Sequence, residues 1–379
     1  DKNRPRSLQL MVELESMIKS ITGMDAVCLQ PHAGAHGELL GLMLIRAYHQ
    51  DKKTGKDVIL VPNSAHGTNP ASVTVCGFKP LEVGSLADGN VDIDDLKSKM
   101  NDKVAGIMLT IPNTVGIFEQ NILTITKLVH DAGGLCYMDG ANMNALMGMV
   151  KPADMGIDVM HLNLHKSFGT PHGGGGPGAG AVGVNSVLTG YLPVPVVKES
   201  NGVYTRDYSL PKSIGKITAF MGNFGVLVRA YVYLKILGKE GVPQIAKNAV
   251  LNANYAFSRL KKYYHAPIER TCMHEFVITD KNLPNHVTTL DVAKRLLDYG
   301  YHPPTIYFPL IIKGVMMIEP TETETKENID GFVDTLIKIQ EEAEKSPELV
   351  KNAPFDTPVK RLDEVSAARK PCLNWNMEE

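Results

Sequence analysis

Short, almost unbroken apolar runs recur along the first half of this chain, at residues 58–61, 104–109, 135–138 and 159–164. Between them lie stretches of helical character, among them residues 39–48 and 121–130. Strands that alternate with helices return to the same sheet in parallel, so the pattern predicts a doubly wound α/β fold with a mostly parallel sheet. Residues 225–237 and 243–264 read as long helices, the second a bridge into a smaller unit. Beyond it, residues 275–278, 291–299 and 315–319 suggest an α+β unit, and residues 326–345 an ending helix. The expected division is a large domain over residues 1–250 and a small C-terminal domain over residues 251–379.

Composition fits two domains and excludes several functions. A chain of 379 residues that is 44% hydrophobic is long enough for two cores and too apolar for disorder. Its net charge of −2 argues against a general nucleic-acid binder. No apolar run reaches membrane-spanning length, and the amphipathic helix expected over residues 7–20, with Glu13 and Glu15, resembles no signal peptide. The five cysteines (Cys28, Cys76, Cys136, Cys272 and Cys372) lie far apart and read as reduced core residues of a cytoplasmic protein.

Lys166 stands between the apolar run 159–164 and the glycine-rich stretch 173–180, a setting that suits a lysine used as an amine. Schiff-base formation with a carbonyl is the main covalent chemistry of lysine, above all with the aldehyde of pyridoxal phosphate. That cofactor needs an anion at its ring nitrogen, donors at its phosphate and a flat group on its ring. Asp139, ending the run 135–138, stands where open α/β sheets place ligands and would keep a pyridine nitrogen protonated. The turn at residues 29–38 opens a helix, which offers free N–H groups and the positive end of the dipole to a phosphate. Asn163 and His165 would share one strand face with His161 and add donors there. His66, in a loop of turn residues after residues 58–61, is the candidate to lie on the ring, and small Ala141 leaves room on the other side.

Two rival readings are weaker. Gly173, Gly175 and Gly178 satisfy a dinucleotide pattern with Glu199 about twenty residues on, but residues 179–184 read as a strand where that motif needs a helix. His161 and His165 have a helical metal-ligand spacing, yet alternating leucines place them on a strand and no cysteine pair assists, so no metal site is expected.

The motifs together resemble the pyridoxal-phosphate-bearing subunit of the glycine cleavage P-protein family. The matching stretches are residues 30–38, 62–72, 112–119, 138–144, the Lys166 segment with its glycine tail, 307–310 and 317–324. They cover nearly the whole chain. The resemblance implies a fold-type I pyridoxal-phosphate enzyme with Lys166 as Schiff-base lysine, Asp139 at the ring nitrogen and His66 on the ring. It also implies Ala33, Gly34, Ala35 and His165 near the phosphate, and Asn113 and Thr114 close to the cofactor.

The implied reaction is decarboxylation of glycine and transfer of the aminomethyl group to the lipoyl arm of a separate H-protein. The disulfide of that arm is the oxidant. The alternatives are another fold-type I reaction, such as decarboxylation of a larger amino acid or cysteine desulfuration, and a non-catalytic partner subunit. A desulfurase would want a mobile catalytic cysteine, and Cys272 sits in an apolar segment, while a non-catalytic subunit should lack the lysine that this chain retains. Proton handling is open among His32, His36, His66 and His172, and Arg229 and Arg270 are candidates for the glycine carboxylate by residue type alone. The chain begins without methionine, so a further N-terminal stretch is expected, and its ending suits subunit 2 of a two-subunit enzyme. The implied partner is a cofactor-less subunit 1 in an α2β2 assembly.

Overall fold

The computed structural model describes residues 4–173 and 178–374. Its main sheet contains β1 (Ala26–Cys28), β2 (Val58–Pro62), β3 (Lys79–Val83), β4 (Val104–Thr110), β5 (Leu135–Asp139), β6 (Val159–Asn163) and β7 (Gly180–Val184). Their spatial order is β1-β7-β6-β5-β4-β2-β3. From β3 to β6 all neighbours pair in parallel, and β7 alone runs against both of its neighbours. The expected mostly parallel α/β sheet is therefore present.

Helices cover both faces: α1 (Arg4–Thr22), α2 (Gly34–Asp51), α3 (Thr68–Val75), α4 (Ile93–Lys99), α5 (Ile122–Asp131), α6 (Leu164–Ser167) and α7 (Phe224–Leu260). The two-residue period of a strand divides the side chains between these layers. On β5, Cys136 and Met138 join a core with Leu14 and Ile18 of α1, Ile125 of α5 and Leu227 of α7. Leu135 and Tyr137 point the other way, into a core with Leu40 and Leu44 of α2 and Val73 of α3. Leu14, Ile18, Leu40 and Leu44 are wholly buried, and each such side chain stabilises the fold by roughly 1.5–3 kcal/mol.

Helix α2 sits unusually close to the sheet because three glycines line one of its faces. A Cβ at Gly41 would lie 2.3 Å from Tyr137 Cε2, one at Gly37 would lie 3.0 Å from His161 Cβ, and one at Gly34 would lie 2.2 Å from Asn163 Oδ1. Positions three and four apart share a helix face, so this stripe brings the N-terminus of α2 down onto the ends of β5 and β6.

Two differences from the sequence expectations, at His165 and Cys372, stand beside one agreement. Strand β6 stops at Asn163, and Leu164 begins the short α6, closed by the Phe168 N–H bonding back to the Leu164 carbonyl at 3.0 Å. His165 thus lies on a helical turn and not on the strand face of His161. The two long helices expected over residues 225–237 and 243–264 are both present, run together as α7 and separated by a break at Gly238, whose φ of 63° only glycine adopts without strain. Cys372 is exposed, whereas the other four cysteines are buried as expected.

A hairpin of β8 (Val196–Ser200) and β9 (Val203–Asp207) precedes α7. After α7 come β10 (Phe276–Thr279), α8 (Thr289–Asp298), β11 (Thr305–Ile306), β12 (Val315–Ile318) and α9 (Lys326–Lys345). The three strands form an antiparallel sheet in the order β10-β12-β11. Its core joins Phe276 and Met316 to Leu296 of α8 and to Val333 and Leu336 of α9, together with Phe257 from the end of α7.

Candidate active site

At the carboxyl ends of β5 and β6, under the N-terminus of α2, lies a cavity of about 630 Å³. Ala33, Gly34, Ala35, His66, Asp139, Ala141, Asn163, His165 and Lys166 all line it. These nine residues come from four separate stretches of sequence. Asn113 and Thr114 do not line it. The Asn113 side chain donates to the Gly89 carbonyl at 2.6 Å, and the Thr114 hydroxyl donates to the Ser64 carbonyl at 2.8 Å, bracing the loop that carries His66.

Asp139 closes the floor. It is 3% exposed, accepts from Asn69 Nδ2 at 3.0 Å and from the Ala141 N–H at 3.0 Å, and lies 3.5 Å from His161 Nε2. Burial pushes its carboxyl upward, but His161, these two donors and His66 outweigh burial and hold it below the usual carboxylate range. The floor therefore carries a full negative charge at neutral pH.

The roof is the start of α2. Ala33, the residue before the helix, has extended backbone and gives no side-chain cap, so the first N–H groups of the helix have no capping side chain. Asn163 Oδ1 and His165 Nδ1 are buried polar atoms without a hydrogen-bond partner. Burial first, then His172, Lys166 and His161, push the His165 imidazole down to about 4, so that it is neutral at physiological pH. Its ring stands edge-on to His172 at 4.5 Å. An uncapped helix start beside unsatisfied polar atoms suits an anion.

His66 is held at the side wall. Its N–H donates to Thr110 Oγ1 at 3.3 Å, and its Nδ1 lies 2.8 Å from Thr68 Oγ1. Thr68 in turn donates to Glu38 Oε1 at 2.7 Å. At the mouth, the His32 ring stacks on Phe220 at 4.6 Å, and Nδ1 of His36 accepts from the His32 N–H at 3.3 Å. Lys166 enters from α6, whose neighbouring Ser167 hydroxyl accepts from the Met143 N–H at 2.8 Å.

Several contributors were not singled out from sequence. Glu38 accepts from Thr68, Asn69 and Ser72, and Asn69 bridges Glu38 to Asp139. Glu38 lies past the first turn of α2, and its partners come from a distant segment that no local pattern points to. Conversely, Arg229 reaches the Gly169 carbonyl and Arg270 the Asp88 side chain and carbonyl, and neither lines the cavity.

The rivals fare poorly. Gly180–Val184 is a fully buried strand, not a phosphate-binding helix, although Gly175 itself lies outside the described residues. Cys272 is buried, and burial pushes its thiol up to about 12, unsuited to a nucleophile.

Solved structures share the whole architecture. A glycine decarboxylase (P-protein) of the glycine cleavage system, solved in inhibitor-bound form, matches with a TM-score of 0.74 at 20% identity, covering 88% of this chain and 76% of that one. A NifS-like protein matches with a TM-score of 0.68 at 14% identity, covering 89% and 88%. The fold and its site define a fold-type I enzyme of the pyridoxal-phosphate class.

The family model for the glycine cleavage system P-protein matches residues 6–206, and that for the glycine dehydrogenase C-terminal domain matches residues 245–358. A probable glycine dehydrogenase (decarboxylating) subunit 2 from Caldanaerobacter subterraneus subsp. tengcongensis is 58% identical over 97% of this chain and 76% of its own length. One of the same description from Bacillus velezensis is 54% identical over 97% and 76%. The chain belongs to the glycine cleavage system P-protein family.

Proposed function

We propose that this chain is the cofactor-bearing subunit of a glycine dehydrogenase (decarboxylating), with pyridoxal phosphate bound covalently through Lys166. Glycine is the substrate, and the lipoyl arm of an H-protein accepts the aminomethyl group. A cofactor-less subunit 1 completes an α2β2 enzyme in the cytoplasm. The single observation that carries the site assignment is the placement of Asp139, Lys166 and the uncapped start of α2 around one cavity. We also propose that residues 1–250 form the cofactor domain and residues 251–379 the small domain.

The residues fit the group. Gly34 has no room for a Cβ beside Asn163, and Asn163 and His165 end in buried atoms without partners, as a phosphate seat requires. Ala33, Gly34 and Ala35 supply backbone donors to the same anion, with His165 neutral beside it. When bound, the cofactor supplies an electron sink for the pair left behind by departing carbon dioxide.

Every other task falls to the protein. Asp139 holds a proton on the ring nitrogen, and His161 with Asn69 keeps that carboxylate charged and aimed. His66 would lie against one ring face, Ala141 would leave the other open, and Thr114 steadies the His66 loop while Asn113 ties the neighbouring turn to Gly89. Orientation of the glycine carboxylate by the residues around the cavity would be the main rate factor of such a site. Membership of the P-protein family favours glycine over the substrates of other fold-type I enzymes.

The test is glycine–bicarbonate carbon exchange with lipoylated carrier, measured with and without subunit 1. Exchange that needs both subunits and the lipoylated carrier supports the reading. No exchange in the complete system, with cofactor bound, would sink it.

A further inference from the structure

Phe308 stands in the segment between β11 and β12 and is half-buried, yet it belongs to none of the apolar cores among the described residues. Its ring meets the ring of His66 instead, with centroids 5.3 Å apart and planes at 57°. Aromatic pairs favour such tilted arrangements, at centroid separations of about 4.5–7 Å. His66 lines the cavity and Phe308 does not, so Phe308 touches a residue of the wall without being part of it.

The perch of Phe308 is firmly built. Ile306 pairs with Met316, and the Tyr307 N–H donates to the Val315 carbonyl at 2.9 Å, which fixes the residue before Phe308 against β12. Tyr307 has a φ of 58°, in the left-handed region that a bulky residue rarely enters. Its own side chain is exposed and packs into no core, so the bend serves the next residue, which it carries to His66. Strain of this kind persists where the surroundings over-determine it, and it clusters at ligand sites. The other end of β12 is tied to the same site. Glu319 Oε1 accepts from Asn142 Nδ2 at 2.8 Å and from Asn144 Nδ2 at 3.2 Å, both in the loop after Asp139.

His66 has need of such a neighbour. The χ2 torsion of a histidine is broad and soft, so the contact of Nδ1 with Thr68 Oγ1 at 2.8 Å fixes one point of the ring and leaves its plane poorly set. The Phe308 ring supplies the second restraint. We propose that Phe308 is a positioning residue, which sets the plane in which His66 meets the ring of pyridoxal phosphate. The β11–β12 segment thereby becomes a support of the cofactor site. The proposal rests on the placement of His66 against the cofactor ring.

The experiment compares the full chain as wild type, F308A, F308Y and H66Q by two readouts. The first is modification of His66 by diethyl pyrocarbonate in cofactor-free chain, followed by mass spectrometry. F308A should raise its rate roughly two- to tenfold, the weight of one ring pair in holding His66, while exposed His286 reacts at an unchanged rate. The second is the visible circular dichroism of bound pyridoxal phosphate at equal cofactor content, which in F308A should move toward that of H66Q. F308Y keeps the ring and should stay with wild type in both. An unchanged His66 rate in folded F308A, or a cofactor band that keeps its wild-type form there, overturns the proposal. If F308A does not fold, F308L, which keeps apolar volume and lacks the flat ring, decides by the same two readouts. H66Q separates the two claims. A wild-type band in H66Q removes His66 from the cofactor ring and the proposal with it, whereas a band altered in H66Q but not in F308A overturns the role of Phe308 alone.

Discussion

The Tyr137 hydroxyl and Nδ1 of His161 lie 2.6 Å apart, both groups buried beneath α2. Burial, then Glu38 and Asp139, push the phenol well above its ordinary range, so it stays protonated. The other ring nitrogen, Nε2, faces Asp139 Oδ1 at 3.5 Å. Tyr137 thereby fixes the orientation in which His161 faces the carboxylate on the cavity floor. Tyr137→Phe leaves a buried imidazole nitrogen unpaired, at a cost of about 1–3 kcal/mol. A urea unfolding curve should show a lower midpoint with unchanged slope, and an unchanged midpoint would contradict this arrangement.

Asp139→Asn keeps the shape of the floor and removes its charge. Loss of a preorganised electrostatic group at a reaction centre costs on the order of 10²–10³ in rate. Glycine–bicarbonate exchange should fall by that much while Lys166 still takes up the cofactor. A variant with nearly full exchange would remove Asp139 from the mechanism.

Gly34→Ala puts a methyl group where Asn163 now stands, 2.2 Å from its Oδ1. Asn163 must give way, and with it the seat proposed for the phosphate. Cofactor affinity should weaken by roughly tenfold, equivalent to about 1.4 kcal/mol, with far-ultraviolet circular dichroism unchanged. Equilibrium titration with pyridoxal phosphate measures it, and wild-type affinity in this variant would move the phosphate elsewhere.

These tests also mark how far the sequence could be read. Runs such as those of β2, β4 and β5 announce themselves because buried parallel strands are apolar throughout. Asp139 was legible because it follows such a run, and the Gly34 turn because it opens a helix. Strand β3, Lys79–Val83, hid because an edge strand carries charge and proline. His165 was misplaced because His161, Asn163 and His165 keep a strand period across a chain that turns helical after Asn163. The Glu38, Asn69 and Tyr137 network depends on contacts between distant segments, which no local pattern encodes.

His165 also gives a pH dependence. Its folded-state value of about 4 lies below the ordinary imidazole value of 6.5, so the unfolded chain binds the extra proton between those limits. Its contribution to stability is complete above 6.5 and is lost as the pH falls toward 4. His165→Asn should therefore flatten the stability profile between pH 6.5 and 4 relative to wild type. Parallel denaturation curves at several pH values check this, and identical slopes in both proteins would contradict it.

The central claim is that Lys166 carries the cofactor. Protein loaded with pyridoxal phosphate, reduced with borohydride and digested should yield one pyridoxyl-labelled peptide, containing Lys166, and Lys166→Ala should yield none. A label on a different lysine, or an undiminished label in Lys166→Ala, would contradict the account.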